Sequence, residues 1–181
     1  MESINGIVIV DKPAGWTSHD VVAKLRGVYR QKRIGHSGTL DPMATGVLPI
    51  FIGRATRAIQ FVENDDKVYL AGLRLGIVTD TQDISGKVLQ TRDAIPDDED
   101  VRKTIASFVG TIEQLPPMYS AIKIQGKKLY EYARKGIAVE RKPRTIAIHS
   151  IDIIDKNGDD YILKVACSKG TYIRTLCNDI G

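Results

Sequence analysis

The stretch GHSGTLDP, residues 35–42, is the part of this sequence around which the fold is predicted to be organised. It combines a histidine, two hydroxyl side chains, two glycines and a carboxylate with almost no apolar content. Pro42 disfavours helical geometry at Asp41, and the glycines let the backbone approach a ligand closely. An apolar run at 47–52 follows. A rigid polar loop between buried elements is a common setting for chemistry, so Asp41 is a candidate catalytic residue, with an ordinary turn as the alternative.

The composition indicates a globular chain of about one domain. The 181 residues are 43% hydrophobic and 27% charged, which leaves enough apolar area for a sizeable core. No apolar run is long enough to span a bilayer, and no signal-peptide pattern is present, so we expect a cytoplasmic protein. Cys167 and Cys177 form no CxxC pair, and the three histidines have no metal-ligand spacing. We therefore expect neither a disulfide framework nor a metal site.

Positive charge is concentrated in two segments of the chain. Residues 121–144 contain eight basic and two acidic side chains, a local charge of +6, so the rest of a chain with net charge +4 carries −2. A second cluster of five basic residues lies within 24–33. Tyrosines at 119, 130 and 132 lie in or beside the first segment. Cations interleaved with aromatic rings favour a nucleic-acid partner, and a solvated charged helix face is the alternative. The candidate contacts are Lys123, Lys127 and Lys128.

Hydrophobic periodicity predicts an α+β fold, with a largely antiparallel or mixed sheet flanked by helices, because strands and helices alternate irregularly and hairpins replace regular βαβ units. Thr17 and Asp20 have the spacing of a capping box, and Asn157-Gly158 is a strong hairpin signal. Strands are predicted at 6–10 (buried), 47–52, 67–76, 121–125, 146–155 and 161–168, and helices at 18–30, 54–62, 97–108, 127–135 and after 170. The last of these helices is interrupted by the end of the sequence, so we expect the chain to be a fragment.

The acidic loop at 79–86 has some features of a calcium site. Its acidic residues have the wrong spacing for such a loop, and no terminal glutamate follows. We therefore predict turn chemistry rather than metal binding for this loop.

Two groups of residues that lie far apart in the sequence could together form one catalytic site. One is the loop that carries Asp41, and the other is a strand-to-helix turn that carries Tyr172 and Arg174. If Arg174 pairs with Asp41, the guanidinium keeps the carboxylate ionised and oriented. An ionised carboxylate beside an aromatic ring suits nucleophilic or general-base chemistry at a sugar or a base. The alternatives are a structural salt bridge or a phosphate contact for Arg174, and core packing for Tyr172 and Tyr69.

Five motifs, in order, resemble those of the TruB family of tRNA pseudouridine synthases. They are DKPAGWTS at 11–18, GHSGTLDP at 35–42 with ATGVLP at 44–49, KVY at 67–69, PMYSAIK at 117–123 and GTYIR at 170–174. The resemblance covers essentially the whole chain. It implies a pseudouridine synthase-like fold and an isomerase, an intramolecular transferase, that converts uridine 55 in the T-arm of tRNA to pseudouridine.

The resemblance also implies residue roles. Asp41 would attack a flipped-out nucleotide, and Arg174 would pair with Asp41. Tyr69 would stack on the target base and help to remove the C5 proton, which makes it a third candidate catalytic residue. Tyr172 would line the pocket, and His36 would contact the RNA near the space that the base vacates. The site of attack (C1′, the base, or a route through a glycal) stays open. Because the reaction is an isomerisation, no metal, nucleotide or redox cofactor is expected.

The resemblance further implies a domain organisation and partners. Residues 1–181 would form the catalytic domain, truncated at its C-terminus and without the PUA-type domain of family members. The segment at about 121–144 resembles the flexible RNA-binding lobe that closes over the T-loop. The expected partner is the tRNA T stem-loop, and the expected state is a monomer.

Two alternatives from other functional classes remain at this stage. An RNA-binding or RNA-chaperone module would have the same basic surface, but it would not need the pair of Asp41 and Arg174. A carbohydrate-active hydrolase could use Asp41 with Asp80 or Asp83. The basic lobe and the lack of an aromatic sugar-binding stripe argue against the hydrolase.

Overall fold

The computed structural model describes residues 4–62, 65–93 and 95–181. These residues form two compact units, Met1–Asp65 and Asp66–Gly181, each with its own hydrophobic core. Within the described ranges, every paired strand is antiparallel to its neighbour. Over the same ranges, none of the helices combines the length and the apolar character needed to cross a bilayer.

The first unit is a three-stranded sheet with a helix packed on one face. The strand order is β1-β3-β2. The helix contributes Val21 and Val22 to the core, and the sheet contributes Ile34, Leu48 and Ile50. The elements are β1 (Gly6–Lys12), α1 (Ser18–Tyr29), β2 (Ile34–His36), β3 (Gly46–Ile52), a 3-10 helix (Gly53–Ala58) and α2 (Ile59–Val62). The short helix predicted at 54–62 is thus a 3-10 turn that continues into one α-helical turn.

The capping box predicted for α1 is confirmed. Thr17 Oγ1 accepts a hydrogen bond from the Asp20 backbone N–H at 3.0 Å, and the Thr17 N–H donates to Asp20 Oδ2 at 2.8 Å. These two bonds satisfy donors that have no intrahelical partner at a helix start. At the other end Arg30 adopts a left-handed conformation with φ 48° and ends the helix.

The prediction that 6–10 is a fully buried strand is wrong. The side chains of β1 alternate, and Ile7 and Ile9 are 55% and 62% exposed. The reason is that α1 covers only one face of this sheet, so every second residue of β1 lies on the other face. Apolar composition alone cannot distinguish a strand covered on both faces from one covered on a single face.

The second unit is built on a four-stranded sheet in the order β4-β11-β10-β7. Two helices pack on it, since Val101, Ile105, Leu176 and Ile180 share a core with the strands. The elements are β4 (Lys67–Arg74), β5 (Ile77–Thr79), β6 (Val88–Thr91), α3 (Asp98–Ser107), β7 (Gly110–Gln114), β8 (Lys123–Ile124), β9 (Lys127–Lys128), α4 (Leu129–Ala133), β10 (Arg144–Asn157), β11 (Asp160–Cys167) and α5 (Ile173–Ile180).

Local signals in this unit are confirmed where they are strong. Asn157 pairs with Asp160 across a tight turn in which Gly158 has φ 59°, so the predicted hairpin forms. Asp97 caps α3 by accepting from the Asp100 N–H at 2.9 Å. The strand predicted at 67–76 ends two residues early, at Arg74.

The basic segment folds differently from its prediction. A strand was expected at 121–125, a turn at Gly126 and a basic helix at 127–135. The turn is confirmed, but β8 and β9 are two-residue strands and α4 begins only at Leu129. Gln125 and Gly126 both have positive φ (50° and 80°), so they reverse the chain and pair Lys127 with Ile124. The helix that forms is one short turn with no basic residue, and two of the lysines expected on it lie in the hairpin before it.

The predicted α+β class with antiparallel pairing is confirmed. The strands of the described ranges are divided among four sheets rather than gathered in one, with β5–β6 and β8–β9 as separate two-stranded ribbons.

Candidate functional site

Asp41 lies on the loop between β2 and β3, and hydrogen bonds hold the backbone on both sides of it. The Leu40 N–H donates to Ser18 Oγ at 3.0 Å, and Ser18 is buried. The carbonyl of Pro42 accepts from the Gly15 N–H at 2.8 Å. The loop that carries Asp41 is therefore fixed within the first unit by residues of the preceding DKPAGWTS motif.

A third set of hydrogen bonds that holds the loop of Asp41 comes from Lys12, whose side chain is wholly buried. Its Nζ donates to the carbonyls of Pro13 at 2.9 Å, Trp16 at 2.6 Å and Pro42 at 3.2 Å. Three carbonyl acceptors match the three N–H donors of an ammonium group, so the buried charge is fully hydrogen-bonded. No role was predicted for Lys12 from the sequence, where its only signal is its place in the DKPAGWTS motif.

Burial and charge act in opposite directions on this lysine. Burial lowers the pKa of Lys12, while the negative charges of Asp41 and Asp20 raise it, and the net effect is a lowered pKa. The ammonium of Lys12 is thus close enough to Asp41 to act on it electrostatically. It provides positive charge on the side of the loop where the first motif lies.

His36 ends β2, five residues before Asp41. Its Nδ1 hydrogen-bonds to the carbonyl of Gly38 at 2.5 Å. The next residue, Ser37, donates its N–H to the carbonyl of Pro49 at 3.1 Å. The predicted RNA-contacting histidine thus belongs to the same fixed loop as the predicted catalytic aspartate.

In the second unit, Arg174 lies in the first turn of α5 and is held by two partners from distant parts of the chain. Its Nη2 donates to the carbonyl of Tyr119 at 2.7 Å, and its Nη1 lies 3.4 Å from Asp83 Oδ2. The side chains of Arg174 and Asp83 are only 9% and 6% exposed. A buried ion pair with further hydrogen bonds orients the guanidinium strongly.

Asp83 stays ionised despite its burial. Burial raises the pKa of Asp83, but hydrogen bonds from Ser85 and Thr81 and the charge of Arg174 lower it, and the net pKa lies below its ordinary value. The distances are 2.5 Å from Ser85 Oγ, 2.9 Å from the Ser85 N–H and 2.7 Å from Thr81 Oγ1 to Asp83 Oδ1. Turn chemistry, predicted for loop 79–86, is therefore confirmed.

The same loop makes a second contact with α5. Thr175 Oγ1 donates to Gln82 Oε1 at 2.7 Å, beside the contact of Arg174 with Asp83. The loop has no room for a side chain at Gly86, because a Cβ there would stand 2.2 Å from Thr81 Oγ1. The contacts between this loop and α5 were not predicted. They join residues more than 90 positions apart in the sequence, and no periodic signal reveals contacts over such distances along the chain.

Tyr172 is the N-cap of α5 and is fixed through its backbone. Its N–H donates to Gln114 Oε1 at 2.8 Å, and its carbonyl accepts from Gln114 Nε2 at 3.1 Å. Gln114 is buried at the end of β7. Tyr69 lies in β4 opposite Val165, partly buried against the core of the second unit.

The candidate lysines of the basic segment lie together on the β8–β9 hairpin. Lys123 faces Lys128 across the hairpin, and Lys127 precedes Lys128. Lys128 Nζ lies 5.3 Å from the centroid of the Tyr130 ring, and the Arg134 guanidinium carbon lies 5.1 Å from it. One hairpin lysine, Lys128, and Arg134 after α4 thus lie near one aromatic ring, an arrangement that suits contact with phosphates and bases.

The predicted site residues therefore belong to both units. His36 and Asp41 are in the first unit, while Tyr69, Tyr172 and Arg174 are in the second. The pairing of Asp41 with Arg174 joins the two units and stays a prediction. Within its own unit Arg174 forms an ion pair with Asp83, which was considered from the sequence as an acid of a hydrolase and as part of the acidic loop at 79–86.

Across residues 4–62, 65–93 and 95–181, no group of three or more histidine, cysteine, aspartate or glutamate side chains is arranged to hold a metal ion.

Known proteins resemble this chain in sequence over almost its whole length. tRNA pseudouridine synthase B of Clostridium kluyveri is 54% identical over 178 residues, which is 98% of this chain and 62% of that protein. The enzyme of the same name from Alkaliphilus oremlandii is 53% identical, over 98% of this chain and 60% of that protein. The chain thus spans about three-fifths of the length of the curated relatives it matches.

Solved structures share the fold. A crystal structure of a Cbf5-Nop10-Gar1 complex contains a chain with a TM-score of 0.74 and 31% identity, over 97% of this chain and 43% of that one. A second match, an H/ACA RNP bound to a substrate RNA containing 2′-deoxyuridine, has a TM-score of 0.70 and 27% identity, over 97% of this chain and 42% of that one. The predicted pseudouridine synthase-like fold is confirmed. Residues 26–173 match the model of the TruB family pseudouridylate synthase (N terminal domain), and the chain therefore belongs to the TruB family.

Proposed function

We propose that the protein is an isomerase that converts uridine 55 in the T-arm of tRNA to pseudouridine, with Asp41 acting on a flipped-out nucleotide. The observation that carries the proposal is the loop of Asp41, whose backbone is fixed on both sides by Gly15 and Ser18. A carboxylate held in one position before substrate arrives is what covalent or general-base catalysis requires. The relatives named tRNA pseudouridine synthase B support tRNA as the substrate.

The reaction rearranges one nucleotide without a co-substrate. The N1–C1′ glycosidic bond breaks, the uracil rotates, a C5–C1′ bond forms, and the C5 proton is lost while N1 gains a proton. An ionised Asp41 suits three routes: attack at C1′, addition to the base, or proton removal that leads to a glycal. Because atoms and electrons balance within the nucleotide and the solvent, we propose that the enzyme works without a metal or organic cofactor.

Arg174 is proposed as the group that pairs with Asp41. A guanidinium has five N–H donors in one plane, so the donors on one edge can be anchored while those on another edge bind a carboxylate. The contacts of Arg174 with Asp83 and the Tyr119 carbonyl supply such an anchor. In this proposal Asp83 is a positioning residue that acts through Arg174.

The remaining roles concern RNA recognition. We propose that Tyr69 stacks on the target base, that Tyr172 lines the pocket and that His36 contacts the RNA beside the vacated space. Extruding a base costs a few kcal/mol, which phosphate contacts can offset. The proposed phosphate contacts are Lys123, Lys127 and Lys128.

The RNA partner, the oligomeric state and the domain organisation are part of the same proposal. The tRNA T stem-loop is the proposed partner, and the protein is proposed to act as a cytoplasmic monomer. Residues 1–181 are proposed as catalytic domain, with residues 121–144 as an RNA-binding lobe.

One observation favours a second candidate function, an RNA-binding module without chemistry. The two cations near the Tyr130 ring, Lys128 and Arg134, would bind RNA whether or not Asp41 reacts. This candidate differs from the isomerase in requiring no ionised carboxylate.

One experiment separates the two functions. The complete protein is incubated with unmodified tRNA, and pseudouridine formation and RNA affinity are measured for wild type, Asp41→Ala and the control Asp152→Ala, which removes an exposed carboxylate on β10. We expect Asp41→Ala to lose pseudouridine formation and keep RNA binding, and Asp152→Ala to keep both. Normal turnover by Asp41→Ala would overturn the isomerase proposal, and RNA binding without turnover by wild type would favour the binding module.

A further inference from the structure

The hydrogen-bond partner of His36 determines which nitrogen of its imidazole ring carries a proton. Nδ1 contacts the carbonyl oxygen of Gly38, and a carbonyl oxygen only accepts hydrogen bonds. Nδ1 must therefore carry the proton. In the neutral ring the other nitrogen, Nε2, then has a lone pair and is an acceptor.

The backbone around the ring fixes this orientation. His36 pairs with Ile50 at the end of β2, and the Ser37 N–H donates to the Pro49 carbonyl. Gly38, whose carbonyl is the partner of the ring, has φ +80°, a conformation that other residues rarely adopt. The ring is only partly buried, so a ligand can reach it.

We propose that His36 recognises a hydrogen-bond donor of the tRNA through an unprotonated Nε2. The inference rests on the proposed function, since it requires RNA to bind at the loop of Asp41. Phosphate oxygens only accept, so a neutral ring in this tautomer does not bind phosphate. A base N–H or amino group or a ribose 2′-hydroxyl does donate, and a contact with such a group selects nucleotides rather than adding charge attraction.

The first test reads the ring itself, without RNA or activity. Nitrogen NMR of ¹⁵N-histidine-labelled protein at neutral pH has three rings to resolve, and the His36→Asn spectrum assigns the signal of residue 36. We expect a protonated Nδ1 and an unprotonated Nε2. A ring protonated on Nε2, alone or together with Nδ1, overturns the proposal, because Nε2 would then be a donor.

The second test separates the two ring nitrogens by substitution. Asn at position 36 places an amide near the position of Nδ1, so it can still donate to Gly38 but reaches no further. Gln extends to the position of Nε2. For a T stem-loop RNA, we expect His36→Asn to weaken binding about tenfold and His36→Gln to stay within about threefold of wild type. Equal effects of the two substitutions, or a larger loss with Gln, overturn the proposal.

RNA variants then identify the donor. Single 2′-deoxy nucleotides remove a ribose donor, and N3-methyluridine removes a base donor, at each loop position in turn. One of these changes should weaken wild-type binding about tenfold and have no further effect on His36→Asn. If, at every position, the loss of affinity from the RNA change adds to the loss from His36→Asn, the proposal is overturned. If wild type binds RNA but forms no pseudouridine, the proposed function fails while these binding cycles still decide the role of His36.

Discussion

The ammonium group of Lys12 reaches the backbone carbonyl of Pro42 across thirty positions of sequence. This contact ties the end of β1 to the residue that follows Asp41. A charge buried in this way costs free energy unless its donors are satisfied, and here three carbonyls satisfy them. The geometry around the candidate catalytic carboxylate thus depends on a side chain that need not touch the substrate.

Replacing Lys12 by Met should loosen the loop of Asp41. The change leaves three carbonyls without their shared donor, and we expect the free energy of unfolding to fall by about 1–3 kcal/mol. We also expect slower pseudouridine formation at saturating tRNA, with little change in RNA affinity. Urea unfolding and single-turnover kinetics measure both effects, with Lys164→Met, an exposed residue of β11, as the matched control. Unfolding and turnover like those of wild type would contradict the role assigned to Lys12.

Gly86→Ala should displace the loop that holds Asp83. The added methyl group would stand 2.2 Å from Thr81 Oγ1 and 2.6 Å from Asp80 Oδ1, so the loop has to move. Overpacking of this kind typically costs about 1–3 kcal/mol, and we expect turnover to fall because Arg174 loses its anchor.

Thermal unfolding and the pseudouridine assay test this prediction. Gly72→Ala is the control, because among the described residues no heavy atom lies within 4 Å of the position of a Cβ at Gly72. Equal behaviour of the two variants would mean that the loop at Gly86 tolerates a side chain.

Asp83→Asn should remove a pH-dependent part of the stability. The pKa of Asp83 in the folded chain lies below its ordinary value of 3.8, so the ionised form stabilises the fold above that value and the contribution is lost as the pH falls through the folded pKa. Urea unfolding between neutral pH and about pH 2 measures the difference between wild type and variant. We expect a constant advantage of wild type above about pH 5, which shrinks on acidification. A difference independent of pH would contradict an ionised Asp83.

The double variant Lys127→Ala, Lys128→Ala should weaken RNA binding and flatten its salt dependence. Each lost phosphate contact reduces the slope of log K against log salt by about one, so we expect a reduction of about two for this pair. Single-turnover rates at saturating RNA should stay near wild type. The control is Lys87→Ala with Lys103→Ala, two exposed lysines outside the hairpin. An unchanged salt slope in the first pair would exclude these lysines as phosphate contacts.

Predictions from sequence succeed here where the deciding interaction is local. Thr17 and Asp20 are three residues apart, so their capping box is visible in the sequence. Asn157-Gly158 likewise specifies its own turn. The turn was predicted at Gly126 but not at Gln125, and the strand pairing across it was not predicted, because glutamine rarely adopts positive φ and gives no turn signal.

The parts of the candidate site that the sequence did not predict depend on distant partners. Asp83 and Arg174 are 91 positions apart, and Gln114 and Tyr172 are 58 apart, so no periodicity links them. Lys12 was missed for another reason: lysine is almost always exposed, and only the surrounding carbonyls make its burial favourable. Motif resemblance located Asp41 and Arg174, whereas their supporting contacts required the fold.

β4 has consequences for the order in which the chain acquires its structure. It pairs along its whole length with β11, from Lys67 opposite Cys167 to Arg74 opposite Asp160, about a hundred positions later. During synthesis the strand that bears Tyr69 therefore stays without this neighbour until residues 160–167 have left the ribosome. Nascent chains arrested before residue 160 should expose an unpaired strand edge to chaperones and proteases, and protection should increase once β11 emerges.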